Sequence, residues 1–228
     1  KELFKEHPLD ADVVIGIPDS GLPAARGYAR ASGIQKEAGI IRSHYAGRLF
    51  IGPIAERKEK HRIKHDVVRE IVDGKRVVVI DDSIVEGVTS QKIVTLLSQN
   101  GAKKVYVLAS SPPSIAICHF GVPTAPSYRR LIAADHKGNV EKIRKEIGAD
   151  YLGYLSIAST IRAVIETPPV IPDYPKLTEQ DFCTSCFTGI YQIPIPLMHY
   201  EIPESYHCEP HFGARQSQSP NVRLLRSA

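Results

Sequence analysis

Two adjacent aspartates, Asp81 and Asp82, stand where a run of β-branched residues stops, in the stretch VVVIDDSIVEGVTSQKIVTLL from Val77 to Leu97. The run reads as a buried strand. Ser83, Gly87, Thr89 and Ser90 follow in a short loop, and a helical pattern takes over. In a parallel sheet, ligands bind beyond the carboxyl ends of the strands. A helix that opens there offers an anion its unpaired N–H groups and the positive end of its dipole. Gly87 lets the backbone approach the anion closely, and Thr89 and Ser90 add hydroxyls. The loop is not a P-loop of the GxxxxGK[ST] type, because no Lys follows the glycine. A phosphate cradle beside two carboxylates suits a phosphorylated sugar. The carboxylates would accept hydrogen bonds from vicinal hydroxyls or hold a divalent cation through water. The plain alternative is that Asp81 and Asp82 cap the following turn and that Thr89 and Ser90 are helix caps. Paired acids at the end of a central strand are awkward to explain structurally, which favours the ligand.

The elements that must position this loop alternate. DVVIGIP (12–18) reads as a short buried strand reached almost at once, and DSGLPAARGYARASG as a helix. Asp19 or Ser20 would cap that helix, Leu22, Ala25, Tyr28 and Ala29 recur at helical spacing, and Gly33 stops it. EAGIIR is a second strand. Ser43 to Asp73 is long, basic and poorly periodic, the kind of stretch that is functional or mobile in a compact domain. KRVVVID is the central strand, with a helix from Gly87 to Asn100 behind it. KKVYVLASSPP gives a fourth strand, followed by helices around Ser127–Ala134 and Val140–Glu146. YLGYLS and IASTIRAVIE add a strand and a helix. This βαβ spacing predicts an α/β fold, a mostly parallel sheet flanked by helices on both faces. The expected organisation is one domain over 1–166, a Pro-rich linker and CxxC segment over 167–191 packing back on it, and an irregular or disordered tail over 192–228.

Composition sets limits on function. The 228 residues carry a net charge of +4, which favours phosphorylated ligands, but no dense Lys/Arg block argues for nucleic acid. No apolar run approaches a membrane span and no signal peptide opens the sequence. It starts at Lys1 rather than Met, as a piece of a longer protein would. Four cysteines are too few for a disulfide scaffold of this size, so a reducing cytoplasm is the expected location. CTSC (183–186) is weak as a motif: a redox pair belongs near the start of a thioredoxin-like fold, and zinc needs two further ligands.

VVVIDDSIVEGVTS resembles the phosphoribosyl-pyrophosphate (PRPP) motif of type I phosphoribosyltransferases, and more narrowly that of the glutamine PRPP amidotransferase family. ADVVIGIPDSGLPAARGYARASGI, HYAGRLFIGP, SSPP, VEKIRKEIGADYLGYLS and FCTSCFTG match the same family in the same order, from roughly Leu9 to Tyr191. Such enzymes join an N-terminal glutaminase, with a cysteine nucleophile at its start, to a phosphoribosyltransferase domain. Only the second is represented here, so glutamine hydrolysis is not carried over.

The resemblance implies roles for particular residues. Asp81 and Asp82 would contact the ribose hydroxyls and help hold Mg2+, with Ser20 of PDSG as a further metal residue. Glu86, Gly87, Val88, Thr89 and Ser90 would hold the 5′-phosphate. Arg48 of GRLF would close over the pyrophosphate, and Arg42 would add positive charge at the start of that loop. Three departures stand out: Glu86 replaces an Arg, Val88 replaces a Thr, and His44 replaces an Arg of the closing loop. Tyr45, beside it, either packs or contacts ligand. Some members bind a structural 4Fe–4S cluster through four cysteines. Cys118, Cys183 and Cys186 match three of them, and the fourth in that family normally lies at a position just before the one that Lys1 matches. Cys208, His199, His207 and His211 fall in the unmatched tail and read as solvated. The implied reaction is displacement of pyrophosphate from PRPP by ammonia delivered from a glutaminase domain. Purine nucleotides would be inhibitors, and the assembly an oligomer of identical chains. The rivals are a nucleobase phosphoribosyltransferase, which would need a hood for a flat base, and a non-catalytic PRPP- or nucleotide-binding fragment.

Overall fold

The computed structural model describes residues 1–42, 65–120, 130–168 and 175–193. Its centre is a four-stranded parallel sheet in the order β1-β4-β5-β6. The strands are β1 (Val13–Gly16), β4 (Arg76–Asp81), β5 (Lys104–Ala109) and β6 (Tyr151–Tyr154). Between the first two in sequence, β2 (Ile40–Arg42) and β3 (His65–Val67) pair antiparallel as a separate two-stranded sheet. The expected α/β architecture with a mostly parallel sheet is therefore present.

The alternation of side chains along β4 explains why that strand reads as continuously apolar. Val77 and Val79 face one core, with Ile93, Val94 and Leu97 of α4 (Val88–Gln99) and Ile143 and Ile147 of α6 (Val140–Ile147). Val78 and Ile80 face the other, with Ala25 and Tyr28 of α2 (Leu22–Ser32) and Leu3 of α1 (Glu2–Glu6). A strand covered on both faces needs no polar positions, so the one that ends it is conspicuous. β6 leads into α7 (Ile157–Ile165), which Ser156 caps by accepting from the Ser159 N–H at 3.1 Å.

Four local expectations need correction. The chain enters through a five-residue helix, α1, before its first strand; so short a helix has no periodicity to read. Neither Asp19 nor Ser20 caps α2. Gly21 holds that position without a side-chain cap, and Leu22 lies exposed rather than inward. The stretch from Ser43 to Asp73 is not wholly irregular, since it contains β3 and the short helix α3 (Arg69–Val72). Of the helix expected around Ser127–Ala134, the described part is α5 (Ile132–Asp135).

Candidate active site

β4 carries its last residue, Asp81, to the carboxyl edge of the sheet, in register with Ala109 of β5. Asp81 is 6% exposed. Its Oδ1 accepts from the Asp82 backbone N–H at 2.9 Å and from the Ser20 hydroxyl at 3.4 Å. Burial pushes the Asp81 carboxyl up to about 6, and the adjacent Asp82 carboxylate adds to the shift, while the backbone and Ser20 hydrogen bonds oppose it. Asp82 is exposed, and its Oδ1 accepts from the Ser83 N–H at 2.7 Å. Both acids do bond the turn that follows, so the plain capping alternative describes part of the geometry. Among the described residues it leaves the desolvation of Asp81 without a bonded cation, an imbalance of the kind that a ligand or metal would relieve.

The approach of the β1–α2 turn to this edge depends on Gly21. A Cβ there would collide with the Ile80 carbonyl oxygen, so a larger residue would push the turn, and Ser20 with it, away from Asp81. The turn is tied down by the Ile17 N–H on the Ile80 carbonyl at 2.9 Å and the Gly21 N–H on the Ile17 carbonyl at 2.9 Å. Asp19, in the same turn, accepts from Arg42 Nη1 at 2.8 Å, which joins the end of β2 to the acidic edge.

On the other side, Gly87 sits at φ 80° as the N-cap of α4. A Cβ at this position would lie 2.5 Å from Ile132 Cδ1, so both the backbone sign and the packing call for glycine. The Ile132 N–H donates to the Val85 carbonyl at 2.9 Å and fixes the loop from behind. The first bond of the helix runs from the Gln91 N–H to the Gly87 carbonyl at 2.9 Å, which leaves the N–H groups of Val88, Thr89 and Ser90 ahead of it for an anion. Thr89 is exposed and Ser90 buried, and neither is the cap. Val88 is 46% exposed, and Glu86 is half-buried. Ser20, Asp81 and Asp82 are thus brought together, with Glu86–Ser90 following in one loop and Arg42 nearby through Asp19. Arg48, His44 and Tyr45 lie outside the described residues.

The profile of the phosphoribosyl transferase domain matches residues 1–114, half of the chain. The chain belongs to the phosphoribosyl transferase domain family. It is 44% identical to the amidophosphoribosyltransferase of Bacillus subtilis over 198 residues, 86% of this chain and 39% of that protein. The enzyme of the same name from Methanothermobacter thermautotrophicus is 39% identical over 206 residues, 89% of this chain and 40% of the relative. A solved structure of the B. subtilis glutamine PRPP amidotransferase, complexed with ADP and GMP, superposes with a TM-score of 0.73 at 43% identity, covering 86% of this chain and 41% of that one. The chain spans about two fifths of the length of these relatives. The fold is that of the type I phosphoribosyltransferases, and Asp81 stands at the carboxyl edge of the sheet, where the general rule for such sheets looks for a ligand.

The described cysteines of this phosphoribosyl transferase domain are Cys118, Cys183 and Cys186; Cys208, His199, His207 and His211 lie outside the described residues. The N–H groups of Ile115 and Ala116 donate to the Cys186 carbonyl at 2.9 and 3.0 Å, and the Tyr191 hydroxyl bonds the Ile117 carbonyl. This clamp lays the CxxC segment, with the short helix α8 (Ser185–Thr188), against the residues leading to Cys118. Burial raises the Cys186 thiol, with the charges of Cys118 and Cys183 contributing; Cys183 is exposed and its thiol is lowered by its bonds to Ser185. The three thiols share a neighbourhood. Among the described residues, however, no three His, Cys, Asp or Glu converge tightly enough to hold a metal ion. Nor, among those residues, is any helix long and apolar enough to cross a membrane.

Sequence reasoning missed Asp19 as a partner of Arg42 and Gly21 as the residue that permits close approach. It also passed over Ser110, whose hydroxyl donates to the Asp82 carbonyl at 3.4 Å. Asp19 and Gly21 stand in the quoted PDSG stretch, where they were read as cap and helix start.

Proposed function

We propose that this chain is the phosphoribosyl-transferring part of an amidophosphoribosyltransferase, moving the phosphoribosyl group of PRPP to ammonia in the first committed step of purine synthesis. The observation that carries this reading is the buried acid Asp81 beside Asp82, directly before the N-terminus of α4. Identity above 40% to the B. subtilis enzyme over most of the chain supports the narrower choice of acceptor.

In this reading, the ammonia lone pair forms the new bond to C1 of the ribose. The C1–oxygen bond breaks, pyrophosphate leaves with its electron pair, and the new amine gives up a proton to solvent. No protein nucleophile is needed, so the residues act by positioning and by charge. The N–H groups of the Glu86–Ser90 loop hold the 5′-phosphate. Asp81 and Asp82 accept from the ribose hydroxyls. The same two carboxylates and the Ser20 hydroxyl fit Mg2+, a hard cation that takes oxygen ligands, and the raised Asp81 carboxyl is the kind of group a cation would bring back to its ionised form. Mg2+, when bound, would offset the charge of the diphosphate. Arg42 and, by resemblance, Arg48 meet the pyrophosphate. By resemblance, Cys118, Cys183 and Cys186 would supply three ligands of a structural 4Fe–4S cluster that takes no part in the reaction, although the three thiols as placed do not converge on a metal.

The proposed organisation is a phosphoribosyltransferase domain over 1–166, the linker and CxxC segment over 167–191, and a tail over 192–228. Ammonia would come from a glutaminase domain on the same polypeptide, purine nucleotides would compete at this edge, and the enzyme would act in the cytoplasm as an oligomer of identical chains. Glu86 and Val88, at the phosphate loop, favour a second reading, a PRPP-binding module without turnover. Pyrophosphate release separates the two. With PRPP, Mg2+ and ammonium chloride, release should occur and climb with pH as neutral ammonia becomes available, while glutamine gives none. PRPP binding without release under any nitrogen source would establish the second reading.

A further inference from the structure

Arg42 and Asp19 form an ion pair that the fold does not require. Neither side chain belongs to a core, and the two are 39% and 62% exposed. Arg76 offers a contrast: it bonds Asp12 through Nε and Nη2 at 3.1 and 2.7 Å and also reaches Asp10. Arg42 meets Asp19 through one N–H at 2.8 Å. A single solvated contact of this kind contributes between zero and about 1 kcal/mol and is easily given up. Its location is what makes it informative. Asp19 immediately precedes Ser20, whose hydroxyl points at Asp81, and Arg42 closes β2. On the phosphoribosyl reading, a diphosphate attached to C1 of a ribose held at Asp81 and Asp82 would extend toward this turn.

We propose, on the basis of the phosphoribosyl reading above, that Asp19 is a place-holder for the leaving group. In the ligand-free protein its carboxylate occupies Arg42. A diphosphate carries more charge and more acceptor oxygens than one carboxylate, so it takes the guanidinium and displaces Asp19. The displaced carboxylate then stands unpaired near Asp81 and the bound anion. Its return to Arg42 favours departure of pyrophosphate once the C1–oxygen bond has broken. Asp19 is thus a positioning residue that weakens binding of diphosphate on purpose and speeds its release.

The test is calorimetric titration of inorganic pyrophosphate with Mg2+ into the wild type, Asp19→Asn, Arg42→Gln and the double variant, with steady-state kinetics alongside. Asp19→Asn should bind pyrophosphate about three- to five-fold more tightly, the range that an exposed ion pair can supply. Its kcat and KM for PRPP should fall together, as they do when product release slows and the ground state is bound better. In the Arg42→Gln background the Asp19 substitution should have a smaller effect, because the place-holder has no cation to hold and only its repulsion of the anion is removed. Unchanged or weaker pyrophosphate binding by Asp19→Asn, or an equal effect with and without Arg42, overturns the proposal while leaving the phosphoribosyl reading intact. Failure of the wild type itself to bind pyrophosphate overturns that reading and this one with it.

Discussion

The two ends of β4 handle charge in opposite ways. At its amino end, Arg76 is held by Asp12 and Asp10, and its backbone N–H also donates to Asp12 at 2.8 Å. The Arg76 hydrogen bonds hold the Asp12 carboxyl far below the usual carboxylate range. At its carboxyl end, Asp81 is buried against a second acid, with no described cation bonded to it, and its carboxyl is pushed up to about 6. One end is arranged for the folded protein. The other is destabilised in isolation and awaits something from outside. The strand is the same and the sheet is the same, so the difference lies in what each acid faces. Charges that complement each other within the chain serve the fold, and charges left in conflict mark the place proposed above for a ligand.

Breaking the loop beside the acidic end should have the largest effect. Gly87→Ala forces a side chain onto a φ of 80° and drives a Cβ to 2.5 Å from Ile132 Cδ1. Strain and overpacking together should cost about 3 kcal/mol, read as a lower midpoint in denaturant unfolding. An unfolding midpoint within error of the wild type would show that the loop rearranges freely, and the cradle would then be less fixed than described.

Next comes a pair of substitutions that should move stability in opposite directions. The folded protein holds the Asp81 proton more tightly than the unfolded chain does, so stability falls as pH rises from the ordinary 3.8 through about 6. Above that window Asp81→Asn should stabilise the ligand-free protein by on the order of 2 kcal/mol, an effect that vanishes in acid. Asp12 has the reverse sign. Its folded carboxyl is depressed, so its contribution is present above the unfolded pKa and is lost as pH falls through the lower folded value. Asp12→Asn should therefore destabilise at neutral pH, by a smaller amount because the group is solvated. Thermal unfolding of both variants against pH is the measurement. Shifts of the same sign would remove the distinction between the two ends.

Much of this was legible in the sequence, for reasons that differ from residue to residue. The β-branched run from Val77 to Ile80 favours a strand, and the spacing of Ile93, Val94, Leu96 and Leu97 reads as one inward helical face, of which Leu96 turns out only half-buried. Asp81 and Asp82 declared themselves by interrupting that run. What escaped depends on contacts between distant segments. Gly21 is required because the Ile80 carbonyl lies against it, and no local pattern announces that approach. Asp19 looked like a helix cap because Asp so often is one, yet its partner is Arg42, across a turn, a helix and a strand. Leu22 fitted the helical spacing but lies exposed next to the cap. β3, at three residues, is too short to show an alternation, and its pairing with β2 rather than the main sheet is a tertiary fact.

The most direct test of the central claim combines binding with stability in one variant. Mg2+ and PRPP are titrated calorimetrically near neutral pH into the wild type and into Asp81→Asn, whose heat stability is measured on the same samples. Binding in the wild type should be tight enough to titrate and should weaken about tenfold or more in the variant, although the variant unfolds at higher temperature. Equal affinities in the two proteins would contradict the central claim, because the buried acid at the end of β4 would then carry a cost with no ligand to explain it.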